Sequence, residues 1–289
     1  MAEAAGTHGV VVPVYGLPQG PGFTEFQRRI QALRQALGLV VLVDNNPLAD
    51  SRIMALEGGG IRVVHRANRG GLAGGFNAGI RAAIAAGAQW VTLLDQDSAI
   101  DPLSLLRLRE AWQLLPDRLL LVGPSIRDLD GAAAPVLDVS AGDPYDRPRL
   151  LISSGTTFRS RDWDRLGPFH TELFIDFLDH IWCFRAAARG CLLLQDRRVE
   201  LAQRFGAPHP QPLCRWLGMK LYSPQRHYYG LRNLRWLCRQ PEVPLDLKVK
   251  EVLKMLVKPW LWLLFEPRRP ANARAICAGL TDPLPGPHP

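Results

Sequence analysis

Cysteine is scarce in this chain. Cys183, Cys191, Cys214, Cys238 and Cys277 are the five in 289 residues, and no two form a CxxC pair. That excludes a disulfide framework and a zinc knuckle, and reads as reduced thiols in a cytosolic protein. Long hydrophobic runs are missing too: no apolar stretch reaches the ~18 residues that a membrane span requires. Met1 to Gly9 is small and polar, without the basic segment and apolar core of a secretory leader, so none is expected. Zinc-finger, RRM and helix-turn-helix patterns are absent, and the basic residues do not line up as a nucleic-acid reader. No nucleic-acid partner is expected.

What is there is an ordinary globular balance, 47% hydrophobic and 21% charged, with 35 Lys+Arg against 27 Asp+Glu and a net charge of +8. The length suits one large domain with an appendage. The basic surplus points to anionic partners, among them nucleotide-sugar phosphates, lipid phosphates and a membrane surface.

Val10 to Tyr15 reads as a strand that runs into a Pro/Gly loop. Phe26, Ile30, Leu33 and Leu37 then mark one face of a helix over 23–37. Strands follow at Leu39 to Val43, Ile61 to His65 and Trp90 to Leu94, with an Ala-rich helix from Gly71 to Ala86 before the last. Unbroken apolar strands alternating with helices predict an α/β fold around a mostly parallel sheet covered on both faces. Right-handed crossovers bring Tyr15, Asp44, the loop after His65 and Asp95 to one sheet edge, where ligands of such sheets bind. Leu119 to Gly123 and Leu150 to Phe158 have strand character, and Gly131 to Arg149 reads as a surface loop. Pro208, Pro210 and Pro212 mark a junction. We therefore divide the chain into a catalytic part, 1–210, and a basic helical part, 211–289.

Asp95-Gln96-Asp97-Ser98 stands at the carboxyl end of the Trp90 strand. Asp95 and Asp97 leave the strand together and can share a hard divalent cation, Mg²⁺ or Mn²⁺, on a nucleotide diphosphate. Farther along, Asp176 and Asp179 form a second acidic cluster. Two acidic sites serving one pocket predict metal-assisted group transfer, one to hold a diphosphate leaving group and the other to take a proton from an acceptor. The glycine-rich stretch from Asn68 to Gly79 has two readings: close packing of helix on sheet, or a helix N-terminus facing phosphate.

Three strings carry a family resemblance: Val43-Asp44-Asn45, Asn68 to Gly79 with Gly70 and Asn77, and Leu94-Asp95-Gln96-Asp97-Ser98. Ser154-Gly155, Leu166-Gly167-x-Phe169, Phe174 to Arg185, Arg226 to Asn233 and Gly279-Leu280-x-Asp282 continue it in order. The chain resembles the inverting GT-A glycosyltransferases of family 2, and within them bacterial rhamnosyltransferases. The resemblance implies a Rossmann-like GT-A fold with a C-terminal helical extension. It implies a nucleotide-sugar donor, dTDP-L-rhamnose first, and a glycan or lipid-linked acceptor. Another donor, as in galactofuranosyl or hexosyl transferases, or a catalytically degenerate member that binds glycan or a partner transferase, remains the alternative. Asp179 is the implied general base. Val14, Tyr15, Asp44, Asn68, Gly70, Asp95 and Gln96 are implied on the donor side, Asp95 and Asp97 at the metal, and Asp176, Trp182 and Gly155 on the acceptor side.

One position departs from the family pattern. Relatives usually carry a histidine where this chain has Gln203, a neutral oxygen ligand at best. Trp182 has a second reading as core, and Asp176 as a helix cap. Arg226 and Arg232 serve either phosphate or structural carboxylates. Val249, Val252, Leu253, Leu256, Trp260, Leu263 and Leu264 share a face at helical spacing, with Lys250, Lys254 and Lys258 beside it. That helix either docks on the catalytic part or lies on the cytoplasmic face of an anionic membrane.

Overall fold

The computed structural model describes residues 6–129, 143–203, 206–216 and 219–284. Arg204 and most of the loop expected from Gly131 lie outside them. Four strands, β1 (His8–Val14), β2 (Gly38–Asp44), β3 (Ile61–His65) and β4 (Trp90–Leu93), pair in parallel in the spatial order β3-β2-β1-β4. All of β1 is buried, as its unbroken apolar run predicts. Alternate side chains go to opposite faces. Val10 and Val12 meet Phe26 and Ile30 of helix α1 (Pro21–Leu37). Val11 and Val41 meet Phe76 and Ile80 of helix α2 (Gly71–Ala85).

Close contact between α2 and the sheet explains part of the glycine-rich stretch. A Cβ on Gly79 would stand 2.2 Å from a Val11 methyl. The parallel register sets Val14 against Asp44 and Asp44 against His65, so the carboxyl ends align as expected.

Strands β5 (Leu120–Asp128), β6 (Tyr145–Asp146), β7 (Thr157–Arg159) and β8 (Leu192–Gln203) complete an eight-stranded sheet, β3-β2-β1-β4-β7-β5-β8-β6. β7 runs antiparallel to β4 and β5, and β6 antiparallel to β8. The strand character expected over Leu150 to Phe158 survives only at its end. Ser153 to Thr156 is a turn, with Gly155 at a φ of 85° and its amide on the Leu93 carbonyl at 2.7 Å. β8 escaped the pattern reading because Asp196, Arg197 and Arg198 interrupt its apolar residues. There the register against β5 shifts, and Arg198 pairs with Asp196 at 2.8 Å.

Helix α3 (Leu178–Ala188) precedes β8, and four helices follow it: α4 (Pro212–Trp216), α5 (Pro224–Leu237), α6 (Leu245–Phe265) and α7 (Arg269–Thr281). Cys214, Met219, Leu231, Trp262 and Ile276 knit them together. Leu234, Trp236 and Leu237 of α5 enter the main core, which fastens the extension to the sheet. α6 continues through Pro259 as one helix. No helix of the described residues is long and apolar enough to cross a membrane.

Candidate active site

The turn after β4 is held from three sides. Arg29 of α1 donates to the carbonyls of Gln96 at 2.5 Å and Ser98 at 2.9 Å. The Asp95 amide donates to the hydroxyls of Ser98 at 3.1 Å and Ser154 at 3.3 Å. Gln96 Oε1 accepts from the Tyr15 amide at 2.7 Å, tying the end of β1 to the same turn. Asp97 is left exposed. A bridge between Ala99 and Ala202 brings the end of β8 alongside, and Gln203 Nε2 donates to Asp95 Oδ2 at 2.7 Å. Burial pushes the Asp95 carboxyl up to about 6. The Gln203 hydrogen bond opposes this, the Asp97 charge adds to it, and Arg226 opposes it again.

The second acidic cluster converges on the first. Phe174, Asp176 and Phe177 all adopt positive φ, an uncommon backbone for non-glycine residues. Asn233, fully buried on α5, supports that path: its Nδ2 faces the carbonyls of Leu173 at 2.8 Å, Ile175 at 2.6 Å and Asp176 at 3.1 Å. The loop also presses on α2, where a Cβ on Gly71 would stand 2.5 Å from the Phe174 carbonyl. Phe174 stacks on Tyr229 at 4.8 Å between centroids, so Tyr229 is a packing residue. Arg226 binds Asp176 at 2.6 Å and lies over the Tyr222 ring at 4.4 Å.

Asp179 sits in the first turn of α3. Burial pushes its carboxyl up to about 7. The Asp95 charge adds to the shift, hydrogen bonds from Ser153 oppose it, and Asp176 adds again. A carboxylate poised near neutrality and facing a second acidic group suits proton acceptance.

Several expected site residues lie elsewhere or act differently. Trp182 is buried in the core with its indole N–H on the Gly167 carbonyl at 2.9 Å and its ring against Phe169, so it offers no stacking face to a sugar. Asp44 is fully buried. Its Oδ1 accepts from Asn46 and its Oδ2 from the Asp50 amide at 2.7 Å, so it builds the loop after β2 instead of presenting a free carboxylate. Val14 is buried as well, and its carbonyl accepts from the Asn45 amide at 2.8 Å. Gly155 is buried behind the Asp95 turn, where a Cβ would meet Pro124 at 2.5 Å; its neighbour Ser154 makes the contact. Tyr15 is exposed beside Gln96. Asn68 and Gly70 form the left-handed turn that opens α2. Arg29 carries no local motif for its role; the Ser154-Gly155 and Arg226 to Asn233 strings pointed to Ser154 and Asn233 but not to what they touch.

Among the described residues, no three His, Cys, Asp or Glu side chains gather into a cation cage. Exposed Asp97, adjacent Asp95 and the buried, unpartnered Gln203 Oε1 form an all-oxygen set. That set fits Mg²⁺ or Mn²⁺, which take one or two carboxylates and complete their shells with phosphate oxygens.

Solved structures share this architecture. Staphylococcus aureus TarS 1-349 in complex with UDP-GlcNAc aligns with a TM-score of 0.54 at 15% identity, over 93% of this chain and 79% of TarS. GalNAc-T7 with UDP, GalNAc and Mn²⁺ aligns with a TM-score of 0.55 at 15% identity, over 93% of this chain, which spans 58% of GalNAc-T7. The fold is therefore that of the GT-A glycosyltransferases. Residues 10–156 match the model of glycosyl transferase family 2, and the chain belongs to that family. A curated relative, the dTDP-rhamnosyl transferase RfbF of Shigella flexneri, is 26% identical over 251 residues, 82% of this chain and 83% of its own length.

Proposed function

We propose that this protein transfers L-rhamnose from dTDP-L-rhamnose, with inversion, to a hydroxyl of a cell-surface glycan or lipid-linked acceptor. One observation carries the reading. The strand end and α3 come together: Asp95, raised mainly by burial with the Asp97 charge adding, lies close enough to Asp179 for its charge to add to the upward shift that burial gives the Asp179 carboxyl. An inverting transfer needs those two functions at one point: a hold on the departing diphosphate and a base for the incoming hydroxyl.

Tyr15, Asn68, Gly70 and Gln96 flank the donor, and the loop that Asp44 builds lines its nucleoside end. Asp97, with Asp95 and Gln203 Oε1 beside it, would hold the divalent ion, which would supply positive charge to the diphosphate. Asp179 accepts the acceptor's proton. Asp176, clamped by Arg226, shapes the acceptor side. The RfbF likeness favours the rhamnosyl donor. The reading places the protein in the cytoplasm, at the membrane face where lipid-linked acceptors lie.

A panel of nucleotide sugars tests the proposal by release of free nucleoside diphosphate. dTDP-L-rhamnose should turn over fastest in the presence of Mg²⁺ or Mn²⁺. Faster release from UDP-galactofuranose or a UDP-hexose would move the assignment to another donor, and no release from any sugar would leave a binding protein.

A further inference from the structure

Helix α6 is packed on one side only. Trp262 is buried against the neighbouring helices with Met255 half-buried beside it, and Glu251 is buried too. On the other side Val249, Val252, Leu253, Leu256, Trp260 and Leu264 face solvent, with Leu256 62% and Trp260 67% exposed. At 3.6 residues per turn these six form one stripe along the helix. An apolar stripe of this extent left in water is a binding surface. The helix thus has both faces that its sequence allowed, one docked on the protein and one without a partner in the described chain.

The charges beside the stripe indicate what covers it. Lys250 is exposed, and Lys254 sits next to it, bonded to Glu251 at 2.6 Å. The two acids of α6 are both engaged, Glu251 with Lys254 and Asp246 with Arg149 at 2.6 Å. A second copy would therefore bring lysines to lysines with no acidic stripe to meet them, between chains that each carry a net charge of +8. A surface of negative headgroups over hydrocarbon matches both the lysines and the stripe. Helix α4 offers a second apolar point. Trp216 is 82% exposed beside exposed Leu213 and Arg215, while Cys214 between them packs into the same cluster as Trp262.

We propose that the solvent-facing stripe of α6, with Trp216 and Leu213 of α4, docks this protein on an anionic lipid bilayer. The helix lies in the headgroup plane and does not cross it. Indoles such as Trp260 and Trp216 suit that depth, and lysine stems reach past the apolar edge to the phosphates. α5 touches both ends of this arrangement: it packs on α6 and grips the acidic loop through Arg226 and Asn233. A docked surface is thus one helix away from the acceptor side. The proposal rests on the α4 and α6 surface alone and does not depend on the identity of the donor.

The test is co-sedimentation of the full chain with vesicles of phosphatidylcholine containing phosphatidylglycerol, against phosphatidylcholine alone. Wild-type protein should pellet with the anionic vesicles at low salt, less with the neutral ones, and be released as salt rises. The triple variant Leu253→Ser, Leu256→Ser, Trp260→Ser alters exposed positions only. It should partition about a hundredfold more weakly, given the apolar area removed, while releasing nucleoside diphosphate at the wild-type rate. Wild-type protein that stays in solution at low salt, or a triple variant that pellets equally, overturns the proposal. A dimer that the triple variant dissolves, without vesicle binding, assigns the stripe to a second copy instead. Loss of nucleotide-sugar turnover with intact vesicle binding bears on the donor reading alone.

Discussion

Gln203 Nε2 donates to Asp95 Oδ2 at 2.7 Å, joining residues 108 positions apart in the chain. Its other amide atom, Oε1, is buried without a partner. One side chain therefore orients a candidate metal carboxylate and leaves an oxygen beside it, where relatives are expected to carry an imidazole. An all-oxygen set favours Mg²⁺ and Mn²⁺, whereas imidazole favours Zn²⁺ and Ni²⁺. Calorimetric titration of the dTDP-bound protein should show Mg²⁺ and Mn²⁺ binding. Gln203→His should gain about tenfold or more in affinity for Zn²⁺ relative to Mg²⁺. An unchanged metal preference in that variant would remove Gln203 from the cation site.

Asp97 is exposed at the strand end and contributes little to the core, so Asp97→Ala should keep the stability within the ~0.5 kcal/mol typical of surface changes. Turnover should nevertheless be abolished, and excess chelator should do the same to the wild type. Full activity in either experiment contradicts a metal role for this carboxylate.

Asp179→Asn preserves shape but cannot take a proton. The transfer rate should fall ~10²-fold or more while donor affinity stays near normal, the usual worth of a positioned base. With its carboxyl pushed up to about 7, wild-type activity should climb through neutrality as the base ionises. A loss below about tenfold passes the role to Asp176.

The same shift has a consequence for stability. In the unfolded chain Asp179 ionises near 3.8 and in the folded one near 7, so between these values the folded state binds more protons. Stability contributed by this group is then lost as pH rises across that window. Asp179→Asn should melt higher than wild type at pH 8 and show no such gain at pH 4. A lower melting temperature at pH 8 would mean that the hydrogen bonds from Ser153 outweigh the cost of burial.

Asn233 supports three carbonyls of the acidic loop from α5. Asn233→Ala leaves buried carbonyls unpaired and should cost about 1–3 kcal/mol of stability. Because Asp176 and Phe177 hold positive φ on the loop that Asn233 supports, turnover at saturating donor should drop as well. Thermal melts and the maximal rate measured together separate this from a surface change, which would move neither.

The parallel half of the sheet was legible from residue order alone. Buried strands read as unbroken apolar runs, and the helix over Phe26 to Leu37 repeats at its own period, because burial acts directly on side-chain pattern. The acidic pair Asp95 and Asp97 was legible for the same reason: it interrupts such a run at its end. Other assignments depended on contacts between distant segments, which no local pattern records. Whether Trp182 faces a sugar or Phe169 was decided by how α3 packs, and whether Asp44 is free or consumed was decided by the path of the loop it caps. Arg29, Ser154 and Asn233 gained their roles only when α1, the turn before β7 and α5 closed on the two acidic clusters. For α6, the stripe was visible in the spacing of its apolar residues, but the side that is buried was decided by Met255 and Trp262, which pack with α5 and α7 while the stripe stays exposed among the described residues.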